Sequence, residues 1–121
     1  KMNLSQIIKT LVSEIKLTEI QAKIFLHVVI NGKMNTSKIS NDLKISLDDA
    51  TQNSKKLVEL GGFIDMPNDE FEAMHPRFTA VNMYRKMCER EQKEFKKNLT
   101  VDNIGVALEV SYDDARTKYN K

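Results

Sequence analysis

Hydrophobic residues in the first quarter of the chain recur with the spacing of amphipathic helices. In residues 4–16 they fall at intervals of three and four, which places them on one face of a helix. Thr18 and Gln21 have the spacing of a capping box, in which each side chain bonds the other residue's backbone N–H. A second helix is therefore expected directly after Thr18. Asn31-Gly32 ends it, because glycine tolerates the left-handed conformation common after helix termini.

Two shorter helices joined by a tight turn are predicted next. Thr36 or Ser37 caps the first, which stops near Lys44, and Ser46 opens the second with a further capping box. The residues expected to face inward are Ile39, Leu43, Ile45, Leu47, Ala50, Leu57 and Val58. Two short helices around a turn of about three residues form a helix-turn-helix pattern.

A β-hairpin follows, because Gly61-Gly62 ends the helix and residues 63–66 and 71–74 are typical of short strands. Pro67 pre-sets the turn between them, and Asn68 and Asp69 tolerate its unusual dihedrals. This order of helices, helix-turn-helix and hairpin predicts a mainly α winged helix with a small β-hairpin wing.

Pro76 favours the start of a long helix, which the apolar spacing extends from residue 77 to about residue 97. Its apolar stripe consists of Phe78, Val81, Tyr84, Met87, Cys88 and Phe95. At about 1.5 Å per residue the helix is up to ~31 Å long, more than a small domain covers. We therefore predict that this stripe is a homodimer interface. The alternative is a helix folded back on its own domain.

The tail repeats a sequence pattern found earlier, since residues 104–115 resemble residues 39–50. Residues 101–109 and 112–120 are thus predicted to form a second, smaller helix-turn-helix. One alternative is that two similar capping patterns arose by chance. Another is that the tail covers the long helix. The tail is expected to be helical in all three cases.

Composition fits a soluble globular protein: of 121 residues, 40% are hydrophobic and 30% charged. We divide the chain into a winged-helix DNA-binding domain, 1–75, and a dimerisation helix with a helical tail, 76–121. No apolar run approaches the roughly 18 residues that span a membrane, so no membrane association is expected. Cys88 is the single cysteine, which excludes an internal disulfide and fits a reducing, cytoplasmic location.

The net charge of +2 is small, but its distribution is uneven. Residues 61–75 contain four acidic residues and no Lys or Arg, and basic segments lie on both sides. This alternation points weakly to a nucleic-acid face beside an acidic patch. Solvated helix faces explain it equally well.

Catalytic chemistry is not indicated by any residue constellation. His27 and His75 have no Cys or carboxylate at metal-ligand spacing, and Gly61-Gly62 lacks the context of a phosphate loop. Asp48-Asp49 fits the first turn of a helix, where exposed N–H groups favour acids. We therefore expect no enzyme activity, no metal and no cofactor.

Nucleic-acid contacts are predicted on the helix-turn-helix, with the helix over 47–60 reading the major groove. Amide side chains pair with adenine and lysines reach guanine or phosphate, while a helix N-terminus contacts the backbone. The candidate DNA-binding residues are Thr36, Ser37, Lys38, Thr51, Gln52, Asn53, Lys55 and Lys56. Asp48 and Asp49 repel phosphate, and the acidic turn over 67–70 makes insertion of the wing into a groove doubtful.

Residues spread over about half of the chain carry a resemblance to a known family: Leu17-Thr18-Glu19, Ala22-Lys23, Phe25, Val29, residues 36–39, Leu43, Ile45-Ser46 and residues 57–64. In these positions the chain resembles the DNA-binding domain of archaeal TrmB-type transcriptional regulators. Gln21 stands where that family commonly has Glu. The resemblance implies a DNA-binding regulator that dimerises through the helix after the wing, and it carries over no effector ligand.

Together these patterns predict a homodimeric, sequence-specific regulator of transcription that binds double-stranded DNA. The alternative is a winged helix that contacts another protein within a transcription or chromatin complex. Its support comes from the acidic wing and the low net charge.

Overall fold

The computed structural model describes residues 2–119, which form six α-helices and one antiparallel sheet of three short strands. The elements are α1 (Leu4–Ile15), α2 (Glu19–Asn31), β1 (Met34–Asn35), α3 (Thr36–Leu43), α4 (Leu47–Glu59), β2 (Ile64–Met66), β3 (Glu70–Glu72), α5 (Pro76–Arg90) and α6 (Leu99–Tyr119). The predicted mainly α architecture with a small hairpin is confirmed. Lys1, Asn120 and Lys121 lie outside the described residues, and the predicted segments 1–75, 76–121 and 112–120 reach into them.

Helix boundaries near the start of the chain follow the local capping signals. Thr18 and Gln21 form the predicted capping box, with N–O distances of 3.0 and 3.2 Å. Gly32 ends α2 with a φ of 92°. The N-cap of α3 is Asn35 and not Thr36 or Ser37 as predicted. The Asn35 side chain accepts a hydrogen bond from the Lys38 N–H at 2.9 Å.

The sheet has the order β1-β3-β2, and the sequence predicted only the β2–β3 hairpin. Strand β1 has two residues, with Met34 opposite Phe71 of β3. Such a short strand has no periodicity to detect, since its position depends on the pairing with β3. In the hairpin turn, Asn68 and Asp69 have φ values of 64° and 57°, as their identities predict.

Helix α5 is shorter than predicted and ends at Arg90, not near residue 97. Gln92 takes the left-handed conformation with a φ of 55°, and the Lys93 N–H donates to the Cys88 carbonyl at 2.9 Å. This is a Schellman ending, which glycine usually signals. Phe95 therefore lies beyond the helix, and its ring packs back on Tyr84 with 6.0 Å between centroids.

The tail is one continuous helix of 21 residues, so the predicted second helix-turn-helix is wrong. Asn98 caps α6 by accepting hydrogen bonds from the Thr100 and Val101 N–H groups, at 3.0 and 3.2 Å. Ser111, which aligns with the cap residue Ser46 in the repeated pattern, lies inside α6. Leu108, Tyr112 and Ala115 continue one buried face across that point, so tertiary packing favours an unbroken helix.

A single hydrophobic core contains residues from both predicted segments. Helix α6 packs against α5, α2 and α1, and its Val101, Ile104 and Leu108 are almost completely buried. Residues 76–119 therefore complete the core that residues 2–75 begin.

This packing corrects the predicted dimer stripe on α5. Met87 and Cys88 are buried within the chain, and Val81 and Tyr84 are partly buried against the core. The remaining two members, Phe78 and Phe95, are 62% and 48% exposed and do not lie on one helix. As a whole, the stripe is not available to a partner helix, because α6 occupies that side of α5.

Close contact between α5 and α6 depends on Gly105. A Cβ at this position would lie 2.5 Å from the Arg77 Cα and 2.9 Å from the Arg77 nitrogen.

A polar cluster lies beside Gly105. The Arg77 guanidinium pairs with Glu109 at 3.1 Å, and the His75 ring lies 3.3 Å from the same carboxylate. The hydrogen bond from Arg77 lowers the pKa of the Glu109 carboxyl.

We predict that Gly105→Ala destabilises the protein. Helix propensity alone would make this change stabilising by about 1 kcal/mol. The clash with the Arg77 backbone reverses the sign, because overpacking costs about 1–3 kcal/mol. Chemical denaturation followed by circular dichroism measures the difference. Thr100→Ala, at an exposed position of the same helix, is the control and should change little. An increase in stability for Gly105→Ala would contradict the close packing.

Candidate nucleic-acid interface

The turn between α3 and α4 consists of Lys44, Ile45 and Ser46, as long as predicted. Lys44 ends α3 in the left-handed conformation, with a φ of 56°. The Ser40 hydroxyl donates to the Ile45 carbonyl at 2.6 Å, and the Ser46 hydroxyl accepts from the Asp49 N–H at 3.0 Å. Ile45 is half-buried. These local hydrogen bonds set the angle at which α4 leaves the turn.

Side-chain contacts fasten both helices of the pair to α2. The His27 Nε2 lies 2.8 Å from Asp42 Oδ2, which joins α2 to α3. Lys38 pairs with the same carboxylate at 3.1 Å. The hydrogen bonds from His27 and Lys38 lower the pKa of the Asp42 carboxyl below its ordinary value of 3.8. Between α2 and α4, Gln21 Nε2 donates to Asn53 Oδ1 at 3.4 Å.

Helix α4 presents one face to the core and the opposite face to solvent. Ala50, Ser54 and Leu57 are fully buried, and α4 packs against α2, α3 and β2. Of the predicted DNA-binding residues, Gln52, Lys55 and Lys56 are exposed along its outer face. A shallow groove runs between this face and strand β2, with Asp65 on its far side.

The outer residues of α4 have weak contacts that a ligand could displace. Gln52 Nε2 donates to Asp48 Oδ1 at 3.4 Å, and Lys56 pairs with Glu59 at 3.4 Å. Both members of the Lys56–Glu59 pair are more than half exposed, so the pair contributes little to stability.

Not all predicted contact residues share this surface. Thr36 is 6% exposed, so its side chain does not face a ligand, which corrects that expectation. Its backbone N–H donates to the Asp69 carbonyl at 3.2 Å and joins α3 to the hairpin turn. Thr51 and Asn53 are half-buried, and Asn53 is engaged with Gln21. Ser37 and Lys38 are exposed at the start of α3.

Leu47, expected to face the core, is 52% exposed at the first position of α4. Asp48 and Asp49 follow it and are also exposed, so the start of α4 combines an apolar side chain with two carboxylates. Leu47 continues the helical spacing of Ala50, Ser54 and Leu57, but it lies at the end of the helix, where the rest of the chain covers it less.

Two contacts that position the site were missing from the sequence interpretation. Asp42 lies 15 positions from His27, and Gln21 lies 32 positions from Asn53. Gln21 gave a local signal through its capping box, but its contact with α4 depends on tertiary packing. Asp42 gave a local signal only for its pair with Lys38, four residues before it, and its contact with His27 depends on tertiary packing.

Among residues 2–119, no helix combines the length and apolar content that crossing a membrane requires. Within the same part of the chain, no three His, Cys, Asp or Glu side chains form a cluster that could hold a metal ion. Comparison of the chain with protein-family models, with curated proteins and with solved structures finds no match in any of the three.

We predict that Asp42→Asn destabilises the protein at neutral pH and that the difference decreases in acid. Because the folded-state pKa of Asp42 is lowered, its carboxylate stabilises the fold above the ordinary value of 3.8. This contribution is lost as the pH falls through the lowered pKa. Denaturation of both proteins across the acid range measures the effect. Asp114→Asn, at an exposed position on α6, is the matched control. A difference that does not change with pH would contradict the role of the carboxylate.

Proposed function

We propose that this chain is a winged-helix regulator of transcription that binds a specific double-stranded DNA site through α4. The observation that carries the proposal is the three-residue turn, which leaves the face of α4 with Gln52, Lys55 and Lys56 in solvent. The sheet order β1-β3-β2, with β1 between α2 and α3, supports a winged helix. The resemblance of residues 17–74 to TrmB-type regulators supports the same assignment.

The chemistry of the α4 face suits base recognition. An α-helix fits the major groove, where a glutamine amide can pair with the N6 and N7 positions of adenine. Gln52 would do this after release from Asp48, and Lys55 and Lys56 would reach guanine edges or phosphates. Ser37 and Lys38 at the start of α3 are placed to contact the backbone, which fixes the helix on the duplex.

Acidic residues restrict how α4 can approach DNA. Asp48 and Asp49 at its start would repel phosphates, so we infer that the middle of the helix faces the base edges. Asp69 is exposed at the tip of the hairpin and is equally unsuited to a phosphate contact. The hairpin would then stay outside the minor groove and serve to hold α4 against the core.

A contact with another protein is the second candidate. It is favoured by Leu47, which is 52% exposed beside Asp48 and Asp49. An exposed apolar side chain next to carboxylates suits a partner surface with a basic rim better than it suits DNA.

We predict that Lys55→Glu combined with Lys56→Glu weakens binding to the native DNA site. Each lost phosphate contact reduces the slope of log affinity against log salt by about 0.9, so the slope should fall by up to ~2. Fluorescence anisotropy over a salt series on duplex DNA measures affinity and slope together. Lys9→Glu with Lys93→Glu makes the same charge change on α1 and the segment after α5, away from α4, and is the control.

Equal loss of affinity in both double variants would mean that only net charge matters, and α4 would not be the reading helix. Asp48→Asn with Asp49→Asn separates the two candidate functions. If α4 approaches phosphate, removing these charges raises nonspecific DNA affinity. If that affinity is unchanged, the contact with another protein becomes the better assignment.

A further inference from the structure

Helix α6 is apolar on two opposite faces, and only one of them is covered by the chain. The inner face carries Val101, Ile104, Leu108 and Tyr112, all buried in the core. The outer face carries Leu99, Val106 and Val110, which are 67%, 49% and 70% exposed. A helix that is apolar on both faces is normally buried on both, so the outer face lacks a partner in the isolated chain.

The exposed residues follow the repeat of a helix pair. Counted from Leu99, steps of four and three residues give the outer stripe Leu99, Asn103, Val106, Val110, Asp113 and Thr117. All six are exposed and lie along one line on α6, because alternating steps of four and three keep to one side of an α-helix. A groove of about 530 Å³, lined by Met2, Gln6, Asn103, Val106 and Ala107, runs beside this stripe between α1 and α6.

We propose that the outer stripe of α6 is the interface at which two copies of this chain pair, with the two α6 helices antiparallel. In the antiparallel direction, the stripe of one copy matches the stripe of the other in both its apolar and its charged positions. When Leu99 of one copy lies opposite Val110 of the other, Val106 lies opposite Asn103. Lys96, just before α6, then lies near Asp113 of the other copy. A parallel pair would instead bring the two Asp113 carboxylates together.

Lys96 and Asp113 can pair between two copies, because no strong contact within the chain holds either side chain. Lys96 pairs with Glu94 at 3.7 Å, and both side chains are more than 70% exposed. Such a pair exchanges easily with another carboxylate. Asp113 is exposed, and on the outer stripe it is the single charged residue.

The proposed interface does not overlap the surface assigned to DNA. Helix α6 packs on α1, α2 and α5, whereas α4 packs on α2, α3 and β2. Each copy contributes only three exposed apolar side chains to the stripe, Leu99, Val106 and Val110, so we expect an interface below the ~1,600 Å² of a standard one and a dimer with micromolar affinity.

Sedimentation equilibrium of the full chain without DNA tests the pairing. The wild-type protein should be a dimer that dissociates on dilution. Val106→Glu with Val110→Glu should raise the dissociation constant more than about tenfold, because two charges enter an apolar contact. Both positions are exposed, so the circular dichroism spectrum should not change. Phe78→Glu places a charge at an equally exposed position of α5 and should leave the dimer intact.

Disulfide cross-linking tests the direction of the pair. Mixing a Leu99→Cys variant with a Val110→Cys variant under oxidising conditions should give cross-linked heterodimers, and neither variant alone should cross-link efficiently. Efficient cross-linking of Leu99→Cys with itself would overturn the antiparallel arrangement. A wild-type monomer throughout the micromolar range, or dissociation by Phe78→Glu and not by the α6 variant, would overturn the interface. The test contains no DNA, so its outcome is independent of the proposed DNA binding.

Discussion

The packing of α6 against α5, α2 and α1 is the interaction on which the rest of the structure depends. It buries Val101, Ile104 and Leu108, and each large apolar side chain removed from water contributes roughly 1.5–3 kcal/mol. The approach is possible because Gly105 lets the helix lie directly on the backbone of Arg77. The Glu109 carboxylate of α6 adds polar contacts to this packing, because it pairs with Arg77 and lies close to the His75 ring.

The same packing decides which surfaces remain for partners. Helix α6 packs along α5, and Met87 and Cys88 are buried within the chain, so the predicted interface along α5 loses these two residues. The outward face of α6 keeps three exposed apolar side chains, Leu99, Val106 and Val110. On another side of the molecule, α2 holds the α3–α4 pair through His27 and Gln21, so that the outer face of α4 stays in solvent.

Features that depend on neighbouring residues were predictable from the sequence. The capping box of Thr18 and Gln21, the glycine end of α2 and the turn at Asn68-Asp69 follow from the conformations that these residues favour. The exposed Lys55 and Lys56 were equally predictable, because the buried positions of α4 repeat with helical spacing. These local features determine the order of the helices and which residues lie on the outer face of α4 at the candidate site.

Features that depend on distant residues were not predictable. Ser46 and Ser111 begin similar sequence patterns, yet Ser46 caps a helix and Ser111 lies within one. The difference is that Leu108, Tyr112 and Ala115 find a continuous surface on the core, which the local sequence does not reveal. Likewise, α5 ends at Arg90 and Gln92 takes the left-handed conformation that glycine usually takes, because the chain must turn back for α6 to pack. The contact of His27 with Asp42 in the candidate site has the same long-range origin.

Native-state hydrogen exchange most directly tests the claim that α6 completes the core. If it does, the amides of Ile104 and Leu108 open only with the whole protein. Their free energies of exchange should then equal those of Ile24 and Phe25 in α2 and fall with denaturant at the same slope. Exchange of the α6 amides at a distinctly lower free energy, while α2 stays protected, would mean that α6 detaches from an independently stable domain and would contradict the account.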